Sequence, residues 1–142
     1  MASQEHLDET YMRMAEELSK LSYAERKKVG CLIVKDTQII SEGYNGTPTG
    51  FDNSCEYLDY CHEMHTKPEV LHAESNAITK IARSTNSSSG STLYVTMAPC
   101  FDCSKLIIQS GIERVVFKEK YANNGFSLLH KAGINISQIK EN

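Results

Sequence analysis

Two short stretches carry residue types that can do chemistry together. His72-Ala73-Glu74 supplies an imidazole and a carboxylate two positions apart, and Pro99-Cys100-Phe101-Asp102-Cys103 supplies two thiols separated by two residues. One imidazole and two thiolates fill three of the four tetrahedral positions of a zinc ion, and three protein ligands with one place left for water is the pattern of catalytic zinc. Zinc held this way lowers the pKa of water from about 15.7 to about 7, so a nucleophile is accessible at neutral pH. Glu74 is not needed as a fourth ligand and stands within reach of that water as a proton carrier. A Cys-x-x-Cys alone also occurs in redox and structural metal sites. The competing reading is therefore a closed structural zinc that borrows a ligand from Cys55, Cys61, His62 or His65, and it gives Glu74 no task.

Helices and strands must bring these groups together. Residues 69–84 read as a helix with Val70, Ala73, Ala77, Ile78 and Ile81 on its apolar face, placing His72 and Glu74 in its first turn. The positive end of that helix favours negative charge developing beside the metal. A helix over Cys100–Gln109 starts after Pro99, whose missing N–H is not needed there, and stops at Gly111. Before these come a first helix over 8–21, with Met14, Ala15, Leu18 and Leu21 at helical spacing, and a hairpin of strands over 29–34 and 39–43. Cys31, inside the first strand, reads as a small buried apolar residue. Three glycines and a proline make 43–50 a loop, and 51–69 is polar, with nothing beyond short helical turns expected. Further strands are expected over 93–96 and 115–117, then a helix over 126–132 and a final strand through Ile134, Ile136 and Ile139. A helix between the last two strands permits them to be parallel.

With 142 residues, 40% of them hydrophobic and 23% charged, the chain suits one domain spanning 1–142 with a real core. The net charge of -3 argues against a surface built to hold a nucleic-acid polymer. No apolar stretch approaches a membrane span and the first residues do not form a signal peptide, so the expected location is cytoplasmic. Five cysteines, two of them needed as thiolates, fit a reducing compartment.

H-x-E followed by P-C-x-x-C is the signature of zinc-dependent nucleobase deaminases. Together with Gly43-Tyr44-Asn45-Gly46-Thr47-Pro48-Thr49-Gly50 and Lys105-Leu106-Ile107-Ile108-Gln109-Ser110-Gly111, it makes residues 10–140 resemble the deoxycytidylate deaminase family within the cytidine deaminase-like fold. That resemblance implies a three-layer α/β/α fold with a mixed five-stranded sheet in the order 2-1-3-4-5, helices on both faces and the last two strands parallel. It implies hydrolysis of dCMP to dUMP and ammonia in the supply of thymidylate precursors, with Zn2+ on His72, Cys100 and Cys103 and Glu74 as the catalytic acid and base. It further implies a homo-oligomer, a hexamer, activated by dCTP with Mg2+ and inhibited by dTTP.

By the same resemblance Asn45 contacts the sugar hydroxyl, Ala73 lies against the substrate, Arg26 with Tyr121 holds the phosphate, and Tyr44 and Gly46 belong to an effector site. Asn45 has a competing role as a turn residue bonded to backbone, and Arg26-Lys27-Lys28 one as a solvated basic run. Some relatives carry a second zinc in the segment before the catalytic helix, for which Cys55, Cys61, His62 and His65 are the candidates. Leu21-Ser22 stands where members often have Arg-Ser, which shifts the phosphate contact to Arg26. Rival functions are deamination of cytidine, dCTP or tRNA adenosine, and a non-catalytic zinc-stabilised binding domain.

Overall fold

A computed structural model describes residues 2–140. Helix α1 (Gln4–Ser19) starts earlier than the apolar spacing indicates because Ser3 caps it, its Oγ accepting the His6 N–H at 3.1 Å. Its buried face also differs. Tyr11, Met12 and Ala15 are buried, whereas Met14 and Leu21, expected on the apolar face, are exposed. The face is set by Asp8, a buried carboxylate that accepts two hydrogen bonds from Arg114, at 2.9 and 2.7 Å, and one from the Tyr94 hydroxyl. Burial of a charge is tolerable when it is paired and hydrogen-bonded in this way, and apolar periodicity does not reveal it.

Strands β1 (Gly30–Lys35) and β2 (Gln38–Tyr44) form the expected hairpin, turning through Asp36 and Thr37 at φ 51° and 61°. Where only short helical turns were expected, β3 (Glu56–Leu58) and β4 (Met64–Thr66) pair as a small antiparallel hairpin. The Asp59 carboxylate accepts the N–H groups of Cys61 and Glu63 and so stabilises its turn. Helix α2 (Ala73–Ala82) begins later than residue 69, because Gly46 and Leu71 exchange two backbone hydrogen bonds that keep residue 71 out of the helix. Then follow β5 (Thr92–Met97), α3 (Phe101–Gln109), β6 (Arg114–Glu119), α4 (Phe126–Lys131) and β7 (Asn135–Gln138).

The main sheet runs β2-β1-β5-β6-β7, which is the expected order once the β3–β4 hairpin is set apart. β1 is antiparallel to β2 and β5, while β5, β6 and β7 are mutually parallel. Side chains alternate between faces along each strand. Leu32, Val34, Tyr94 and Val116 meet α1 on one face. Cys31, Ile33, Leu93, Val95, Val115 and Phe117 meet α2, α3 and α4 on the other. Cys31 is fully buried there, as its place in the first strand predicts. Among the described residues no helix is long and apolar enough to cross a membrane.

This topology decides where loops meet. Gly30, at the start of β1, pairs with Tyr44 at the end of β2, and its N–H bonds Thr96 Oγ1 near the end of β5. The connections 22–29 and 45–50 and the starts of α2 and α3 therefore gather at one end of the strands.

Candidate functional site

His72 is the N-cap of α2 and Cys100 the N-cap of α3, both in extended backbone conformations, so their side chains leave two neighbouring helix starts. Cys100 Sγ also accepts the Cys103 N–H at 3.4 Å, which fixes the first turn of α3. The start of α2 can settle this close to the sheet because residue 43 of β2 has no side chain. A Cβ on Gly43 would lie 2.5 Å from the Ala73 carbonyl oxygen.

His72 Nδ1 stands 3.5 Å from Cys100 Sγ and 3.4 Å from Cys103 Sγ, and all three donor atoms lie within 4.8 Å of one another. A tetrahedral zinc with bonds of about 2.0–2.3 Å separates a nitrogen and a sulfur ligand by roughly 3.6 Å. The donor set and its spacing thus fit that ion without rearrangement. The Cys100 thiol is brought down to about 4 by the hydrogen bonds of Cys103 and His72, so it is available as a thiolate. His72 is pushed up by its bond to Cys100, and Cys103 is pushed up by its own contact with Cys100 and by burial. The three groups therefore titrate together rather than independently. A divalent cation would convert both thiols to ligands by displacing protons.

Glu74 is only 4% exposed and lines the same cleft as His72 and Cys100. Burial pushes its carboxyl up to about 7, against the lowering influence of its own backbone N–H and of His72. A carboxyl near neutrality is suited to accept and return a proton at working pH.

The cleft has a volume of about 300 Å³, within the usual range for a small-molecule site. Asn45, Arg26, Tyr121 and Ala73 all line it. Asn45 Oδ1 accepts the Val29 N–H at 2.9 Å and its Nδ2 donates to the Lys27 carbonyl at 2.8 Å, so it fixes the 22–29 connection while facing the cleft. Tyr121 is half-buried and packs against the core as well. Arg26 reaches Thr66 Oγ1 with Nη1 at 3.3 Å. Tyr44 and Gly46 lie at the junction between β2 and the loop, outside the cleft lining. The Tyr44 carbonyl accepts from Asn76, and Gly46 is bridged to Leu71.

Cys55, Cys61, His62 and His65 do not come together. Among the described residues, the other group with ligand atoms within 4.8 Å of one another is Asp59, Glu63 and His65. His65 Nε2 is 2.7 Å from Asp59. Cys55 is buried, with Sγ against the Asn53 carbonyl, and Cys61 and His62 are exposed. Three polar lining residues escaped sequence reasoning as site residues: Lys27, Glu56 and Thr66. Lys27 was signalled by its basic run. Glu56 and Thr66 belong to the hairpin that has no apolar pattern, and nothing in the sequence marks them.

The family model for the cytidine and deoxycytidylate deaminase zinc-binding region matches residues 5–119. The deoxycytidylate deaminase of Enterobacteria phage T4 is 33% identical over 92% of this chain and 88% of its own length. That of Saccharomyces cerevisiae is 34% identical over 93% of this chain, which spans 44% of the yeast protein. Among solved structures, the dCMP deaminase of cyanophage S-TIM5, in complex with dCMP and dUMP, superposes with a TM-score of 0.89 at 39% identity, over 97% of this chain and all of that one.

Proposed function

The chain belongs to the family of zinc-binding cytidine and deoxycytidylate deaminases, and from that premise we propose that it hydrolyses dCMP to dUMP and ammonia. The observation that carries the reading is the cleft itself. The buried Glu74 carboxyl and the His72 and Cys100 ligands line it together with Arg26, a cation available to a phosphate. Relatives named deoxycytidylate deaminase and a neighbour solved with dCMP and dUMP support the same substrate.

His72, Cys100 and Cys103 would hold zinc, which supplies the Lewis acidity that makes water a nucleophile at neutral pH. Glu74 takes a proton from the attacking water and delivers it to N3 of the cytosine, so that C4 becomes electrophilic as it is attacked. It then takes the proton of the newly added C4 hydroxyl and hands it to the amine, so that the C4–N bond breaks as the C4 carbonyl forms. One carboxyl serves as base and then as acid because the transfers are sequential. Asn45 has a second amide hydrogen to offer the sugar hydroxyl. Ala73, fully buried beside Glu74, forms part of the cleft wall against which the base would rest. Arg26, supported by Tyr121, takes the phosphate, since one guanidinium can bind two of its oxygens.

By the same reading the protein is a cytoplasmic homo-oligomer of one domain, working in the supply of thymidylate precursors. It is activated by dCTP with Mg2+ and inhibited by dTTP, through a site that includes Tyr44 and Gly46. Ammonia release from dCMP, cytidine, dCTP and a tRNA stem-loop tests the substrate in one assay. dCMP is expected to be preferred, and equal or faster release from another of them refutes the proposal. Added dCTP and dTTP test regulation, and rates indifferent to both remove it.

A further inference from the structure

We propose that the β3–β4 hairpin belongs to the phosphate-binding machinery, with Glu56 and Thr66 as positioning residues that hold Arg26 in its binding conformation. The inference rests on the reading of the cleft as a nucleoside monophosphate site. Residues 22–29 have no helix or strand of their own, so side chains must fix them. Ser22 Oγ donates to the Asn45 carbonyl at 2.8 Å and accepts the Ala24 N–H, tying down the beginning. The Asn45 carboxamide ties down Lys27 and Val29 at the end. The middle is held by Glu56, one of whose carboxylate oxygens accepts the N–H groups of both Glu25, at 3.0 Å, and Arg26, at 3.2 Å.

Thr66 lies directly opposite Glu56 in the hairpin register, and its hydroxyl accepts from the Arg26 guanidinium. One cross-strand pair therefore grips Arg26 twice, at the backbone and at the far end of the side chain. The hairpin is itself anchored, since Cys55 beneath it is 1% exposed and the Cys55 carbonyl accepts the Lys67 N–H at 2.8 Å. A guanidinium has five donors, so a single bond to Thr66 leaves enough for a bidentate contact with phosphate. Lys27, the neighbouring cation on the cleft, is committed to Glu119 at 2.6 Å. Arginine loses considerable rotamer freedom when it binds, and a side chain already aimed loses less of it at that moment.

The test compares KM and kcat on dCMP and on deoxycytidine, which lacks the phosphate, for Glu56→Ala, Glu56→Gln, Thr66→Val and Arg26→Ala. Glu56→Ala and Thr66→Val are expected to raise KM for dCMP by about fivefold to tenfold, the loss of one or two ordinary hydrogen bonds. Their kcat should hold, and the shift on deoxycytidine should be much smaller. Glu56→Gln should recover most of the affinity, because its amide oxygen accepts the same two N–H groups. In an Arg26→Ala background Thr66→Val should add little, as expected for residues acting through one another. Equal shifts on both substrates would reduce the hairpin to framework and overturn the inference, as would additive effects in the double variant. Selective loss in Arg26→Ala with Glu56→Ala and Thr66→Val silent overturns this inference alone, whereas an Arg26→Ala enzyme with no selective loss overturns it together with the phosphate assignment. Thr66 is exposed and its replacement keeps the side-chain shape, so Thr66→Val carries the test if Glu56→Ala does not fold.

Discussion

Gly43→Ala probes how the sheet places helix α2, which carries the proposed proton carrier Glu74. The added Cβ would lie 2.5 Å from the Ala73 carbonyl oxygen, 2.8 Å from the Ala77 nitrogen and 3.2 Å from Asn76 Cβ. Ordinary contact begins near 3.4 Å, so the first turn of α2 must retreat by about 0.9 Å from the carbonyl contact alone. Overpacking of this kind costs about 1–3 kcal/mol. Replacing glycine stiffens the unfolded chain and returns about 0.4–1 kcal/mol, for a net loss of roughly 1–2 kcal/mol. In a chain of this size that lowers Tm by about 3–8 °C. The effect on turnover should be larger than the effect on stability, because the displaced turn carries Glu74 and a misplacement of about 1 Å can cost about 100-fold in rate. Gly46→Ala is the stability control, since a Cβ there meets nothing within 4 Å. Thermal unfolding by circular dichroism and ammonia release from dCMP are the measurements. A Gly43→Ala protein that melts with the wild type and turns over normally would refute the claim that β2 sets the position of the ligand-bearing turn.

Glu74→Gln should keep its zinc, measured by metal analysis, and lose a factor of about 10²–10⁴ or more in ammonia release; a near-normal rate refutes the proton-carrier role. Cys103→Ala removes one of three donors and should lower bound zinc to a small fraction of one equivalent, read by the same metal analysis after dialysis. Asp8→Asn leaves Arg114 and Tyr94 facing a neutral amide and should cost about 3 kcal/mol near neutral pH, measured by denaturant unfolding. Burial raises the Asp8 carboxyl, but hydrogen bonds from Arg114, Tyr94 and Gln4 outweigh it and leave the carboxyl below its ordinary value. A depressed folded-state value means that stabilisation is complete above the unfolded carboxyl's titration, about pH 4, and is lost as pH falls through the folded value. The gap between wild type and Asp8→Asn should therefore narrow only below about pH 4; a gap that closes between pH 8 and 6 would contradict the pairing.

What was legible in the sequence followed from periodic or local signals. β1 and β5 are apolar runs buried on both faces, so the strands themselves were readable, whereas their order followed from the family resemblance; H-x-E and P-C-x-x-C marked the three candidate ligands that the fold brings together. Periodicity failed where polar side chains supply the order. Asp8 is buried because Arg114 meets it from a strand more than a hundred residues away, so the inner face of α1 could not be found by counting apolar positions. The β3–β4 hairpin pairs only three residues on each side, with Tyr57, Leu58 and Met64 exposed, and offers no alternation between a wet and a dry face. Val70 looked like the first turn of a helix, yet the bridge between Gly46 and Leu71 delays that helix until His72 can serve as its cap.

The division has a functional consequence. On the proposed reading the reacting groups stand on regular elements, where helix starts and strand ends fix them through many backbone hydrogen bonds. On that reading the choice of base, sugar and phosphate falls to 22–29, 45–50 and the hairpin, which are held by a few side-chain hydrogen bonds from Ser22, Asn45, Glu56 and Thr66. Each of those contacts is worth on the order of 1 kcal/mol, enough to change affinity several-fold and too little to decide whether the chain folds. Substitutions at these four positions should therefore redistribute preference among substrates while leaving the zinc-bearing turns in place, and substitutions beneath α2 should do the reverse.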